Sequence, residues 1–373
     1  MVNVSNAVIV NCFDTYEHRV KLLKDVLQAD GYQVTVVTSN FKHVQKTVRP
    51  DCPEGFELLP VRPYRKNMSA DRLMSHYRFA KDAIARVEEI RPNLLWVLIP
   101  PNALVKFSAA YKKRNPEVRL VLDFIDMWPE TMPISTIKSL PPFSFWKGLR
   151  DRYVDTGDVI VTECDLYQPL LEKHCSPEKL STVYLARSIT PLRSTPCPPE
   201  DHISLCYLGS INNIIDIPCI AEIIKKIEQP VELHIIGDGE KREELIQAAK
   251  DVGAQVHFHG TVYDAEEKQR IFDRCHFGLN IMKDSVYVGL TMKSMDYFEA
   301  SLPIINNIKG DTWEFVKKHP IGINYERGAC FTPEAIQKVQ IERPAVRVFF
   351  ETYFSEKIFS EQVRKIMKQI MEA

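Results

Sequence analysis

Gly289-Leu290-Thr291-Met292-Lys293-Ser294-Met295-Asp296-Tyr297-Phe298-Glu299-Ala300-Ser301-Leu302-Pro303 runs directly into Ile304-Ile305-Asn306-Asn307. This stretch decides the fold. It reads as a glycine-containing loop, one short helix, a tight exit at Pro303 and a buried apolar strand. Lys293, Asp296 and Tyr297 stand three and four residues apart, so the spacing puts them on one face near the helix start. A helix N-terminus gathers unpaired N–H groups and partial positive charge, which suits a phosphate. A lysine one turn in adds a full charge, and a carboxylate a turn further can accept from two ribose hydroxyls. At the carboxyl end of a parallel sheet, such a segment makes a cradle for a nucleoside diphosphate.

Working outward, strand and helix patterns alternate through both halves. Ala7-Val8-Ile9-Val10-Asn11 is a continuous apolar run of the kind buried on both faces of a parallel sheet. A helix over 17–29 and a strand over 33–38 follow. The intervening turn, Asn11-Cys12-Phe13-Asp14-Thr15-Tyr16, has none of the glycines of a dinucleotide fingerprint, which argues against a nicotinamide dehydrogenase. A strand at 119–123 leads into Asp123-Phe124-Ile125-Asp126-Met127-Trp128-Pro129-Glu130, where an α/β protein would place active-site groups. A helix cap is the plainer role for Asp123. The proline-rich run 188–199 reads as a linker.

Beyond it the alternation restarts. A strand over 202–208 precedes Gly209-Ser210-Ile211-Asn212-Asn213, where glycine permits close backbone approach and the next helix supplies N–H groups. Strands at 233–236 and 256–260 precede Gly237-Asp238-Gly239-Glu240 and Thr261-Val262. The last residues read as an amphipathic helix over 356–371.

The spacing Lys293-x-x-Asp296-Tyr297 ahead of Pro303 resembles the donor-binding motif of GT-B glycosyltransferases of the GT4-like type. Residues 123–130 resemble the D-x-x-D-x-W-P-E signature of members that extend bacterial surface polysaccharides. Three departures are visible: Asp rather than Glu at 296, Ser301 where glycine is common, and Val288 in place of a glutamate. The loop at 209–213 also has no Arg or Lys where the family often has both. The resemblance implies an α/β fold of two Rossmann-like, doubly wound domains facing across a cleft. Residues 1–190 would bind the acceptor, 200–345 would bind the nucleotide-sugar, and a tail over 346–373 would return to the first domain.

It further implies transfer of a sugar, most often UDP-linked, to a hydroxyl of a saccharide or lipid-linked saccharide, with retention and without metal. Lys293 and Asp126 would be the catalytic groups, Lys293 neutralising the diphosphate and Asp126 orienting the acceptor. Donor contacts would come from Gly209, Ser210, Gly237, Asp238, Gly239, Thr261, Val262, Gly289, Leu290, Thr291, Lys293 and Asp296. No cofactor besides the nucleotide-sugar substrate is implied. A nucleotide-sugar 2-epimerase shares the fold but needs a cluster of carboxylates with a histidine, and no such cluster is visible. A non-catalytic subunit partnering a transferase is the reading of a different class, prompted by Val288 and the 209–213 loop.

Composition agrees with two ordinary α/β domains. The 373 residues are 45% hydrophobic and 26% charged, with net charge −1, which argues against a protein devoted to nucleic acid. No run approaches the ~20 apolar residues of a membrane span, and residues 1–30 read as strand and helix rather than as a signal peptide. Nine cysteines form no C-x-x-C pair, so reduced thiols in the cytoplasm are expected. Residues 132–149 mix aromatics with Lys138, Lys147 and Arg150. They read as a connecting loop or as a peripheral contact with the inner face of a membrane. The ten histidines are scattered, with no H-x-x-x-H pair, and no metal site is expected. His257 and His259 alternate on one strand face, and His18 stands near the first turn.

Overall fold

The computed structural model describes residues 5–67, 69–132, 141–191, 195–329 and 331–372. It divides into two compact units. Residues up to Ala186, together with those from Glu356 onward, form the first, and Arg187–Ser355 form the second.

In the first unit the strands of the main sheet are β1 (Asn6–Asn11), β2 (Gln33–Ser39), β3 (Phe56–Leu59), β4 (Leu94–Ile99), β5 (Arg119–Phe124), β6 (Val159–Thr162) and β7 (Leu180–Thr182). They pair in parallel in the order β3-β2-β1-β4-β5-β6-β7. Ala7 to Val10 and all six residues of β4 are buried, which explains their unbroken apolar run: both sheet faces are covered. Helix α1 (Glu17–Ala29) turns Val20, Leu23, Val26 and Leu27 inward. Helix α2 (Ala70–Ile90) starts on Ser69, whose side chain accepts from the Arg72 N–H, and stops where Arg91 takes a left-handed φ of 55°.

The order reverses between β1 and β4, which makes their carboxyl ends the switch point where ligands bind in open α/β sheets.

The second unit repeats the plan with β8 (Ile203–Leu208), β9 (Val231–Ile236), β10 (Gln255–Gly260), β11 (Phe277–Asn280), β12 (Ile304–Asn306) and β13 (Gly322–Asn324). All pairings are parallel, in the order β10-β9-β8-β11-β12-β13. Its switch point lies between β8 and β11. Helix α4 (Ile217–Lys226) is capped by Asp216, which accepts from the Cys219 N–H at 3.0 Å. It buries Ile217, Ile220, Ile223 and Ile224 at helical spacing on the sheet. Helix α5 (Arg242–Asp251) adds Leu245 and Ala249 to the same core. Helix α6 (Ala265–Asp273) and helix α7 (Met292–Glu299) follow β10 and β11.

The boundaries differ from the sequence expectation. The expected linker at 188–199, of which 192–194 lie outside the described residues, is fastened to the second unit. Thr190 Oγ1 donates to Glu299 at 3.0 Å, Arg347 donates to the Thr190 carbonyl at 2.6 Å, and the Cys197 N–H donates to the Asp273 carbonyl at 2.8 Å. The division therefore falls at Arg187. The returning segment also begins later than 346. Helix α8 (Arg343–Phe354) stays with the second unit, held by Arg343, which donates to the carbonyls of Ser301, Phe272 and Cys275.

Helix α9 (Glu356–Glu372) belongs to the first unit. Phe359, Val363, Ile366, Met367 and Ile370 join the core beside α1, at roughly 1.5–3 kcal/mol for each large apolar side chain fully removed from water. Arg364 pairs with Asp30 at 3.0 Å.

Of the aromatic stretch at 132–149, residues 133–140 lie outside the described residues. Helix α3 (Pro141–Asp151) buries Trp146 and Leu149 and leaves Phe145 exposed. No described helix is long and apolar enough to cross a membrane.

Candidate functional site

At the switch point of the second sheet, the glycine loop after β8 and the loop before α7 come together. Thr291 caps α7: its side chain accepts from the Ser294 N–H at 3.2 Å, and Ser294 Oγ returns to the Thr291 N–H at 3.3 Å. The Thr291 hydroxyl donates to Asn280 Oδ1 at 2.8 Å. Asn280 in turn donates to Asn306, and Asn306 to Asn324, at 2.9 and 2.8 Å. This buried amide ladder crosses the ends of β11, β12 and β13 and fixes where α7 begins. The hydroxyl and N–H of Thr291 are thereby committed to the cap. The Gly289 carbonyl is committed too, accepting from Thr312 N–H and Oγ1 at 2.9 and 2.7 Å.

One turn on, the three residues expected on one face separate. Tyr297 enters the core, where its hydroxyl donates to the Cys206 carbonyl at 3.1 Å and accepts from the Leu208 N–H at 2.8 Å. Its ring lies where a Cβ on Gly278 would come within 2.6 Å, so β11 carries glycine there for want of space. Lys293 instead lies over Tyr207 at the end of β8, with Nζ 4.7 Å from the ring centroid. Tyr207 donates its hydroxyl to the Ser210 carbonyl at 2.9 Å, which links the lysine to the Gly209–Ser210 loop. Burial lowers the Lys293 ammonium to about 8. Among the described residues it has no carboxylate partner.

Asp296 points another way. Its Oδ1 accepts from Arg187 at 2.9 Å and Lys268 at 3.1 Å, and Arg187 also reaches Glu299 at 3.2 Å. No described residue hydrogen-bonds to Oδ2. These groups line a cavity of about 610 Å³ with Asp264, Gln269 and Phe272. Arg187 and Lys268 carried no motif, and only the fold brings them to Asp296.

The glycine turns interlock. The Gly209 N–H donates to the Ile236 carbonyl, and the Ile211 N–H donates to the Asp238 carbonyl, both at 2.9 Å. Gly237 has φ +134°, and a Cβ there would meet the Gly209 carbonyl oxygen at 2.0 Å, so the close approach excludes a side chain. A Cβ on Gly239 would meet the Ile211 carbonyl at 2.3 Å. Asp238 Oδ1 accepts from the Gly239 N–H at 2.8 Å. Asp238, Gly239, Ser210 and Thr261 are exposed, Val262 is half-buried and Leu290 is buried.

In the first unit every acid of the 123–130 run has a distinct partner. Asp123 does not cap a helix. Fully buried, it takes Arg19 in a bidentate pair at 2.9 and 3.0 Å, and the Trp96 indole N–H at 2.9 Å. Glu130 pairs with the fully buried Arg150 at 2.7 and 2.9 Å. Asp126 accepts from the Trp128 indole N–H at 2.5 Å and from the Thr131 hydroxyl. Burial raises its carboxyl above the usual range against those two hydrogen bonds.

Around Trp128 lies an aromatic group the sequence did not single out. Phe13 meets Trp128 edge-on at 5.5 Å, and His76 stacks on Trp128 and Trp146 at 6.0 and 6.5 Å. The Arg72 guanidinium sits 4.4 Å over Trp128. Both ring nitrogens of His76 are buried without a hydrogen bond, and burial holds the ring well below its ordinary pKa. His18 is exposed, its Nε2 3.0 Å from the Ala186 carbonyl.

Comparison with known proteins bears on this geometry. Residues 202–338 match the family described as Glycosyl transferases group 1. That match lies within the second unit, and the Lys293 helix and its glycine loops fall inside the matched residues. A search of curated proteins finds no match. Among solved structures, sucrose-phosphate synthase from Thermosynechococcus elongatus superposes with TM-score 0.66 at 11% identity, over 99% of each chain. Anabaena HepE in complex with UDP and glucose gives 0.63 at 11%, over 98% of this chain and 99% of that one. A glycosyltransferase from Rickettsia africae gives 0.64 at 11%, over 99% of each. At such identity the likeness establishes the fold: two parallel-sheet Rossmann-like domains, as in GT-B glycosyltransferases.

Proposed function

We propose that the protein transfers a sugar from a nucleotide-sugar, UDP-linked, to a hydroxyl of a saccharide or lipid-linked saccharide, without metal and with retention of configuration. The observation that carries this reading is Lys293: a desolvated ammonium with no carboxylate partner among the described residues, at the switch point of the second sheet. Such a charge is costly to hold without an anion, and a diphosphate supplies one. As the sugar–oxygen bond of the donor breaks, negative charge grows on the leaving diphosphate. Lys293 and the Ser210 N–H meet it without reorganisation, the Gly209 N–H being held by the Ile236 carbonyl.

Asp296 holds the ribose through its unused Oδ2, and the exposed turns at Asp238–Gly239 and Thr261–Val262 border the nucleotide. Asp126 orients the acceptor hydroxyl, within the aromatic surroundings of Trp128 and Phe13. HepE, whose fold this chain shares, has been solved with UDP-glucose, which favours uridine. Peripheral contact with a membrane through 132–149 belongs to the same proposal, with Phe145 as its exposed apolar residue.

Calorimetric titration of the purified protein with UDP, GDP, ADP and NAD tests the donor site. One nucleoside diphosphate should bind, and Lys293→Ala and Asp296→Ala should each weaken it by about 1–3 kcal/mol, the scale of a charge-assisted hydrogen bond. Binding that survives both substitutions, or no binding at all, would sink the proposal. Affinity without turnover of any donor sugar would leave the chain a nucleotide-binding subunit instead.

A further inference from the structure

On the second sheet, away from the loops described above, the fold gathers histidines that the sequence scatters. Strands β9 and β10 pair with His234 opposite His257, and β8 pairs Ser204 opposite Glu232. Val231, Leu233 and Ile235 face the apolar core, so alternation puts Glu232 and His234 on the other face. His257 and His259 fall on that face of β10, and His202 stands just before β8. From this juxtaposition we propose a binding site for a borderline divalent transition metal, Zn²⁺ in particular, formed by Glu232, His234, His257 and His202.

The donor atoms of Glu232, His234 and His257 all lie within 4.8 Å of one another. Three imidazole nitrogens converge on one carboxylate oxygen: His202 Nε2 at 3.3 Å, His257 Nε2 at 3.5 Å and His234 Nε2 at 3.7 Å from Glu232 Oε2. Ligands of a tetrahedral zinc bound at about 2.0–2.1 Å stand roughly 3.3 Å apart, so small side-chain movements bring these atoms onto one ion. His257 Nε2 is buried and makes no hydrogen bond.

The other ring nitrogens are already held as in metal centres. His202 Nδ1 lies 2.8 Å from Asp201 Oδ1, and His234 Nδ1 lies 3.0 Å from His259 Nε2. Each contact leaves Nε2 turned to the shared point, the outer arrangement that orients metal-binding imidazoles. The His234 and His257 rings stack at 4.8 Å with 17° between planes. Three imidazoles and one carboxylate suit Zn²⁺, Co²⁺ or Ni²⁺ and do not suit Mg²⁺ or Ca²⁺.

Bound there, the ion would cross-link β8, β9 and the edge strand β10, which among the described residues otherwise pairs with β9 alone. The site's role is therefore structural. It rests on none of the residues assigned to sugar transfer, so it can fail or hold independently of that reading.

The test uses untagged full-length protein stripped with a chelator. Titration with ZnCl₂ should show one saturable site per chain and a rise in Tm, with MgCl₂ giving neither. CoCl₂ should give the intense visible absorption of tetrahedral Co²⁺. A His234→Ala/His257→Ala variant should lose the site, and His259→Ala should weaken it by about 10–100-fold, as loss of an outer partner does. Should the double variant fail to fold, Glu232→Gln, which keeps shape and removes the anionic ligand, decides by the same readouts. The absence of stoichiometric Zn²⁺ binding overturns the proposal, as does binding of undiminished affinity in the ligand variants or an octahedral Co²⁺ spectrum.

Discussion

The Nζ of Lys293 rests 4.7 Å from the centre of the Tyr207 ring. That contact gives the ammonium a π-face but no counter-ion, and a π-face replaces only part of the hydration lost on burial. Lys293→Met should therefore abolish the donor-side charge while leaving stability unchanged or higher, because a half-buried charge without a carboxylate partner among the described residues is exchanged for an apolar chain of similar length. Nucleoside diphosphate affinity is expected to fall by about 1–3 kcal/mol while Tm does not. Calorimetry and thermal unfolding on one preparation check both halves; a large drop in Tm would show that the lysine serves the fold.

The same group sets a pH dependence. Its folded value is lowered to about 8 from the ordinary 10.5, so the free protein loses the Lys293 charge as pH rises through about 8. Diphosphate affinity should decline across that range, and Lys293→Arg should flatten the decline because a guanidinium stays charged. For stability the sign is opposite. Below about pH 8 the lysine is charged in both folded and unfolded chains and its burial penalty is fully present. Between about 8 and 10.5 the unfolded chain binds more protons, so this group contributes increasing stability as pH rises. Affinity measured from pH 6.5 to 9.5 for the two proteins decides the matter.

Asp126 is held by Trp128 and Thr131 and raised by burial, the condition of a carboxylate poised to handle a proton. Asp126→Asn keeps the shape and removes the charge. Turnover is expected to fall by about 10²-fold or more, with nucleotide affinity unchanged. Equal loss of affinity and turnover would instead place this residue at the donor.

Arg19 and Asp123 form a buried pair with side chains 2% and 0% exposed. Arg19→Met leaves the carboxylate without its cation, which should cost about 3–5 kcal/mol in urea denaturation. Arg114 and Glu88, both about half exposed, provide the contrast: Arg114→Met should change stability by less than about 1 kcal/mol.

Tyr297 bridges the Cys206 carbonyl and the Leu208 N–H through one hydroxyl. Tyr297→Phe leaves both backbone groups without that partner and should destabilise the protein by about 1–3 kcal/mol. Because Leu208 ends the strand that carries the Gly209 loop, hydrogen exchange should rise locally at 208–210. A uniform rise across the second unit would contradict so local a role.

Particular residues show how much was legible beforehand. The runs Ala7–Val10 and Ile304–Ile305 announce strands buried on both faces, because only such strands dispense with alternating polar residues. The short helix expected after the Gly289 loop is there too, at Met292–Glu299. Tyr297, by contrast, shared a helical face with Lys293 on paper, yet in the fold one enters the core and the other lies over Tyr207. Helical spacing fixes direction only to within a broad arc, and the space left by Gly278 decides what fills it. Likewise the proline-rich run near Thr190 had a linker's composition, but hydrogen bonds from Arg347 and to Glu299 fasten it to the second unit.

Local sequence thus determined what depends on neighbours along the chain: the alternation of strands and helices, the capped start at Thr291, the glycine turns, and the acids of the 123–130 run. Tertiary structure alone decided what depends on residues distant in the chain. It turned Asp123 toward Arg19, set Arg187 and Lys268 on Asp296, left Lys293 without a carboxylate, and drew His202, Glu232, His234 and His257 to one point. The physical reason is that periodicity encodes which face of an element is apolar. The partner of a charge, however, is chosen by sheet order and register, and no single segment contains these.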